Sequence, residues 1–317
     1  MIYTLGETVM DIPVRNGKPV SMVPGGAMLN SCISLGRLNV PVAFIGEFGK
    51  DPAGDLVIRF LEKNGIETGY IYRYQDGKTT VSLAFLDENN DASYSFYQDF
   101  PEKRLQVEIP PFREGDILLF GSFFALNREV RPKLLQIIYE ARNHGVLIIY
   151  DPNFRMSHLR ELPALKPVIL ENMELADIVR GSDEDFRNIF GAGDAGEARK
   201  VLPASCRYLV YTASSREVQF TSPEEKIVLP VQPVKTVSTI GAGDTFNAGI
   251  AYGLHSHEIT RETLEKTGQD TWKTILETAM RMSADVCKHY DNYISPGLAV
   301  KMIRKSGKKN KTFTQTF

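Results

Sequence analysis

The sequence predicts an α/β protein with helices on both faces of a mostly parallel sheet and a small β-sheet standing apart. Three observations carry this. After about residue 114, short apolar runs alternate with amphipathic stretches in the order strand, helix, strand, helix. Runs such as VAFIG and VLIIY are apolar throughout, as strands buried on both faces are. Residues 71–96 instead alternate apolar and polar side chains, which fits antiparallel strands with one wet face.

In chain order, residues 2–5 form an apolar strand. DIPVRNGKPVSMVPGG, from Asp11, turns at Asn16-Gly17 and predicts a hairpin. Leu29, Ile33, Leu35 and Leu38 share one face of a helix over 27–38. VAFIG is a strand, and 51–64 an amphipathic helix stopped by Gly65. Between 71 and 96, turns fall at Asp76-Gly77 and at Glu88-Asn89-Asn90. DILLFG, VLIIYD, ADIVRG and YLVYT are strands; 131–144, 183–190 and 196–201 are helices. Two helices, 245–254 and about 271–288, close the domain, and the basic tail 301–317 reads as a solvated end.

A net charge of −2 asks for neither nucleic acid nor an anionic membrane. No apolar run approaches the roughly 20 residues of a membrane span, and MIYTLGETVMD lacks the basic and apolar regions of a secretory signal. Cys32, Cys206 and Cys287 lie far apart in apolar contexts, as buried thiols of a reducing cytoplasm do. The five histidines show no metal-ligand spacing.

The most informative stretch is VSTIGAGDTFNAGIAYGL. Gly241, Ala242 and Gly243 stand immediately before Asp244 where a helix should begin. A helix N-terminus carries unpaired N–H groups and partial positive charge, and small residues let an anion reach them. A carboxylate beside such an anion hole suits phosphoryl transfer to an alcohol: the amides hold the moving charge and the carboxylate takes the hydroxyl proton. The spacing alone favours a plain helix cap. GAGD is not a P-loop, because no Gly-Lys-Ser/Thr follows.

GAGDTFNAG resembles the C-terminal signature of the ribokinase-like (PfkB) carbohydrate kinases. PGGAMLNSCISLGRLNVPVAFIGEFGKDPAGD resembles the N-terminal one, with its Gly-Gly pair, Asn30, and Gly46, Gly49 and Asp51. The resemblance spans nearly the whole chain. It implies a three-layer α/β/α sandwich with a mostly parallel central sheet and a small β-sheet lid. Residues 1–10, 25–68 and 101–300 would be the core, and 11–24 and 69–100 the lid, through which a homodimer would form. It makes Asp244 the base and Gly241, Ala242 and Gly243 the anion hole. Asp11, Gly25, Gly26 and Asn30 would hold sugar hydroxyls. ATP and Mg²⁺ are implied, with Thr212, Ser214, Asn247 and Ser283 on the nucleotide side and Asp185 reaching Mg²⁺ through water.

DPNFR and GSDEDF resemble the fructokinase and 2-keto-3-deoxygluconate kinase branch. In this branch Asn153 would lie at the mouth of the site, and Arg155 would bind a carboxylate or phosphate. The implied activity is phosphorylation of a primary hydroxyl of a hexose, fructose first. A keto-deoxy sugar acid or nucleoside acceptor, or a sugar-binding protein without turnover, are the alternatives. Four departures from the family stand out. Ser238 replaces an Asp and HYDNYISP replaces a Gly-Ala, which together put K⁺ activation in doubt. Asp185 shortens a Glu. The usual Thr-x-Gly-x-x-Gly loop reads TASSRE, residues 212–217. Gln98 replaces an Arg of the lid, which favours a neutral sugar.

Overall fold

The structure, a computed structural model, describes residues 1–86 and 92–305. Its first part comprises β1 (Ile2–Leu5), β2 (Val9–Arg15), β3 (Lys18–Pro19), β4 (Val23–Gly25), α1 (Ala27–Arg37), β5 (Val42–Gly49), α2 (Pro52–Lys63) and β6 (Ile71–Tyr74). Then come β7 (Lys78–Leu86), β8 (Ala92–Asp99), β9 (Ile117–Gly121), α3 (Arg131–Asn143), β10 (Leu147–Asp151), α4 (Leu162–Leu175), β11 (Ile178–Ser182), α5 (Asp183–Phe190) and α6 (Ala195–Val201). The last part holds β12 (Tyr208–Ala213), β13 (Glu217–Thr221), β14 (Lys226–Pro230), α7 (Ala242–Ser256), α8 (Gln269–Val286) and α9 (Pro296–Lys305).

Nine strands form the main sheet in the order β14-β13-β12-β11-β10-β9-β1-β5-β6. It is parallel from β12 to β6, and β13 and β14 add an antiparallel edge. The fully apolar runs are explained by two cores, one on each face. Ile117 and Leu119 of β9 enter one, Leu118 and Phe120 the other, and β10 repeats the division with Leu147 and Ile149 against Ile148 and Tyr150. The first core is closed by α1, α2, α7, α8 and α9, the second by α3 to α6. Each fully buried Leu or Ile side chain contributes about 1.5–3 kcal/mol.

β1 pairs with β5 on one side and β9 on the other, so the chain builds one half of the sheet outward from β1, returns, and builds the other half. This is the switch point at which open α/β sheets bind ligands, beyond the carboxyl ends of the strands.

The small sheet runs β3-β2-β7-β8, with β4 on β2. Its hairpin turns at Asn16 (φ 51°) and Gly17 (φ 73°), the left-handed pair that such turns need. β7 and β8 pair antiparallel, as expected of this region, while β2 and β7 pair in parallel, because β7 reaches the sheet from the core rather than from a neighbouring hairpin. Two expectations are corrected here. Residues 71–74, expected in the lid, pair with β5 in the main sheet, so the Asp76-Gly77 turn carries the chain from one sheet to the other. The basic end is not wholly solvated: α9 runs to Lys305 and buries Met302 and Ile303. Residues 306–317 and the expected turn at 88–90 lie outside the described residues.

Besides α9, three elements were not read from the sequence. α4 carries Pro163 in its first turn and Pro167 inside, which broke the helical pattern. β13 and β14 are short and half polar.

Candidate active site

The first turn of α7 is the focus. Gly241 is its N-cap, in the left-handed region at φ 78°, and Ala242, Gly243 and Asp244 are its first three residues. The helix therefore starts earlier than the sequence suggests. A side chain at 241 would collide with the backbone of Asn292, so both conformation and space require glycine. Among the described residues, the N–H groups of Gly241, Gly243 and Asp244 have no backbone acceptor. Ala242 is the exception: its N–H donates to Thr239 O at 3.2 Å, which removes it from the expected anion hole.

α1 packs beside this turn and joins the two signature segments. Asn30 Nδ2 donates to Asp244 Oδ2 at 2.9 Å, across 214 residues of sequence. Ser31 Oγ donates to Asp244 O at 2.7 Å. Burial raises the Asp244 carboxyl to about 6, and the Asn30 bond and the charge of Arg155 limit the rise.

Asp11 comes from β2, opposite β4. A Cβ on Gly25 would collide with Asp11 Oδ2, so glycine leaves the carboxylate its place. Burial raises this group to about 6 as well, Ser82 opposes the rise, and the charges of Asp244 and Glu7 add to it. Gly26 sits at φ 127°, and a side chain there would strike the Glu7 carbonyl.

Glu7 escaped the sequence reading. It follows β1 at the switch point and accepts from Ser122 Oγ, just past β9, at 3.0 Å and from Ala27 N at 3.3 Å. Its Oε2 is buried without a partner. Burial raises its pKa, opposed in part by these bonds and by Arg155. Arg155 is exposed, has no ion pair among the described residues, and faces both Asp244 and Glu7 closely enough to favour their charged forms.

On the other side lies a second network. Asp151, wholly buried at the end of β10, accepts from Arg180 Nη1 at 2.8 Å, Asn247 Nδ2 at 2.6 Å and Asn153 N at 2.9 Å. Asn153 makes this turn at φ 38°. Arg180 Nη2 donates to Thr212 Oγ1 at 2.9 Å. Asn247, one turn after Asp244, is buried, and it donates through Nδ2 to Asp151 while its Oδ1 has no partner among the described residues. Ser214 adopts φ 50° where the family's loop carries glycine, and its hydroxyl lies 3.4 Å from Asp183 Oδ1. TASSRE is thus the hairpin turn between β12 and β13. Ser283 is half-buried on α8, one turn before Cys287, whose carbonyl accepts from Val237 N on the approach to α7.

Asp185 completes a capping box with Ser182 at the start of α5. Oδ2 accepts from Ser182 N at 2.7 Å and Ser182 Oγ at 2.6 Å, and Oδ1 from Phe154 N at 2.7 Å. Its carboxylate ties β11 to the DPNFR turn and keeps one lone pair uncommitted. Mg²⁺, which retains several waters, fits such a donor set only through water.

Glu7, Ser122 and Arg180 were missed, yet each is a polar residue ending or following an apolar strand run (TLGE, LLFGS, IVR). That position, at the carboxyl edge of a parallel sheet, is the signal that would have found them.

Residues 1–284 match the pfkB family carbohydrate kinase pattern. Fructokinase from Klebsiella pneumoniae is 28% identical over 262 residues, 81% of this chain and 85% of that protein. Aminoimidazole riboside kinase from Salmonella typhimurium is 24% identical over 257 residues, 80% of each chain. Among solved structures, fructokinase from Vibrio cholerae O395 in fructose, ADP and calcium ion bound form matches with a TM-score of 0.81 at 21% identity, over 95% of this chain and 98% of that one. Aminoimidazole riboside kinase from Salmonella enterica, complexed with aminoimidazole riboside and an ATP analog, matches with a TM-score of 0.81 at 20% identity, over 95% and 99%. This chain therefore belongs to the pfkB family of carbohydrate kinases and is a phosphotransferase acting on a sugar.

Proposed function

We propose that the protein transfers the γ-phosphoryl group of ATP to a primary hydroxyl of a hexose, fructose first. One observation carries the roles: Asp244 is buried in the first turn of α7, its carboxyl raised to about 6, where the Gly243 and Asp244 amides have no backbone acceptor among the described residues. A base of that pKa is ionised at neutral pH and still basic enough to take a proton. The sugar hydroxyl loses its proton to Asp244, its oxygen bonds to the γ-phosphorus, and the bond to the β,γ-bridging oxygen breaks, releasing ADP. The Gly243 and Asp244 N–H groups stabilise the migrating charge. Asp11, Asn30 and Glu7 supply acceptors for sugar hydroxyls, with Gly25 and Gly26 keeping the backbone close. Arg155 orients the phosphoryl group or an acidic substituent, and Asn153 shapes the mouth. Thr212, Ser214 and Ser283 border the nucleotide. Bound Mg²⁺ would neutralise phosphate charge, with Asp185 reaching it through water.

Ser238, whose Oγ accepts from Ile240 N at 3.2 Å, offers no carboxylate, which supports turnover without K⁺. The small sheet would close over the sugar and exclude water. It exposes Val20, Met22, Phe85 and Tyr97, a face suited to a second copy of the chain. Cys32, Cys206 and Cys287 are all free thiols, which fits a reducing cytoplasm.

The test is turnover of a ketose panel with ATP by the parent and by Asp244→Asn. The parent should form a hexose phosphate and ADP, and the variant should lose about 10²–10⁴ in rate. Activity within a few-fold of the parent removes Asp244 from the role of base. The second acceptor reading, a nucleoside such as aminoimidazole riboside, has support in relatives of that activity. Gln98 in place of a lid arginine favours either neutral acceptor over a keto-deoxy acid, and competition binding separates them. A protein binding sugar but not ATP by calorimetry would be a sugar-responsive binding protein instead.

A further inference from the structure

We propose that Arg180 is a phosphate-binding residue of the nucleotide site, supplying from β11 phosphate donors that the glycine-free loop after β12, whose Arg216 pairs with Asp183, does not present. This rests on the ATP reading above. Arg180 is 7% exposed, so its guanidinium is a nearly buried cation. Only two of its five N–H groups have acceptors, Nη1–H on Asp151 and Nη2–H on Thr212, and its buried Nε–H donates to nothing among the described residues. Buried donors left unpaired are costly, so spare ones imply a ligand.

The position says which ligand. A Cβ on Gly243 would lie 3.1 Å from Nη1 and 3.4 Å from Nη2, so the guanidinium lies against the α7 turn, where the Gly243 and Asp244 amides have no backbone acceptor among the described residues. Glycine at 243 lets the fork of an arginine approach a helix N-terminus closely, and both are suited to phosphate oxygens. Thr212, its other contact, opens the TASSRE turn. That turn folds back as a hairpin through Ser214, with Arg216 N donating to Ala213 O at 2.9 Å, and presents no glycine amides. The carboxylates nearby are Glu7, Asp11, Asp151, Asp185 and Asp244, against which a polyphosphate needs fixed cations. A counterion for Asp151 alone would need neither the spare donors nor the contact with Gly243.

The experiment is calorimetric binding of ADP and of adenosine to the parent, Arg180→Met, Arg180→Lys and the double variant Asp151→Asn/Arg180→Met, with thermal melts alongside. ADP affinity should fall at least tenfold in Arg180→Met, by roughly the loss of one charged contact, while adenosine binding holds. Arg180→Lys should recover part of it, since it keeps charge but loses the fork. The double variant, which leaves no unpaired carboxylate, should stay weak for ADP. ADP binding at parental strength by folded Arg180→Met, or its recovery in the double variant, overturns the proposal and leaves Arg180 a counterion. Should Arg180→Met not fold, the double variant and Arg180→Lys decide the matter by the same readout. A parent that binds no ADP overturns the kinase reading itself, a result distinct from the others.

Discussion

Replacing Asn30 by Leu tests how the base is tuned. Asn30 Nδ2 donates to Asp244 Oδ2 at 2.9 Å inside a buried site, and this bond favours the ionised carboxylate. A hydrogen bond to a charged group is worth about 1.5–3 kcal/mol, and one pKa unit is about 1.4 kcal/mol, so its loss raises the Asp244 pKa by about 1–2 units. The sign is definite: losing a donor to the charged form leaves the base protonated over a wider pH range. The acid limb of kcat should move from about 6 to roughly 7–8. At pH 6 turnover should fall roughly 5–50-fold, and by pH 9 it should return to within about three-fold of the parent. The assay is kcat and kcat/KM for fructose from pH 5 to 9 at saturating ATP. A limb that stays near pH 6 with only KM for the sugar raised would make Asn30 a sugar ligand and nothing more. A rate that stays low at pH 9 would refute Asp244 as the group titrating.

Two further outcomes follow from the same geometry. Because burial raises Asp244 from 3.8 to about 6 in the folded protein, its ionised form opposes folding above that range by about 3 kcal/mol. Asp244→Asn should therefore unfold at higher denaturant than the parent at pH 7.5, with the gain shrinking as pH falls through 6 and gone below about 4; an equal or lower midpoint at pH 7.5 would contradict this. Gly25→Ala places a Cβ against Asp11 Oδ2 without needing a left-handed backbone. It should lower kcat/KM for the sugar by about 10²-fold through displacement of that carboxylate while ATP affinity holds, and unchanged sugar kinetics would exclude Asp11 as a ligand.

Much was legible in the chain alone because the information is local. Strands buried on both faces must be apolar throughout, so VAFIG and VLIIYD announce a parallel sheet without reference to anything distant. The Asn16-Gly17 turn and the Gly-rich start of α7 announce themselves in the same way, since few residues other than glycine tolerate those conformations. α4 was hidden by its two prolines, one of which a first turn accepts at no cost.

The sequence by itself thus determined the fold class, the two signature turns and Asp244 as the residue to watch. Only the tertiary structure decided that Glu7 meets Ser122 across the switch point, that Asn247 turns inward to Asp151, that residues 71–74 join the main sheet, and that Arg180 lies beneath Gly243. These are contacts between segments tens to hundreds of residues apart. They depend on which strands become neighbours, and a periodicity that reports only which face a side chain occupies carries no record of that order.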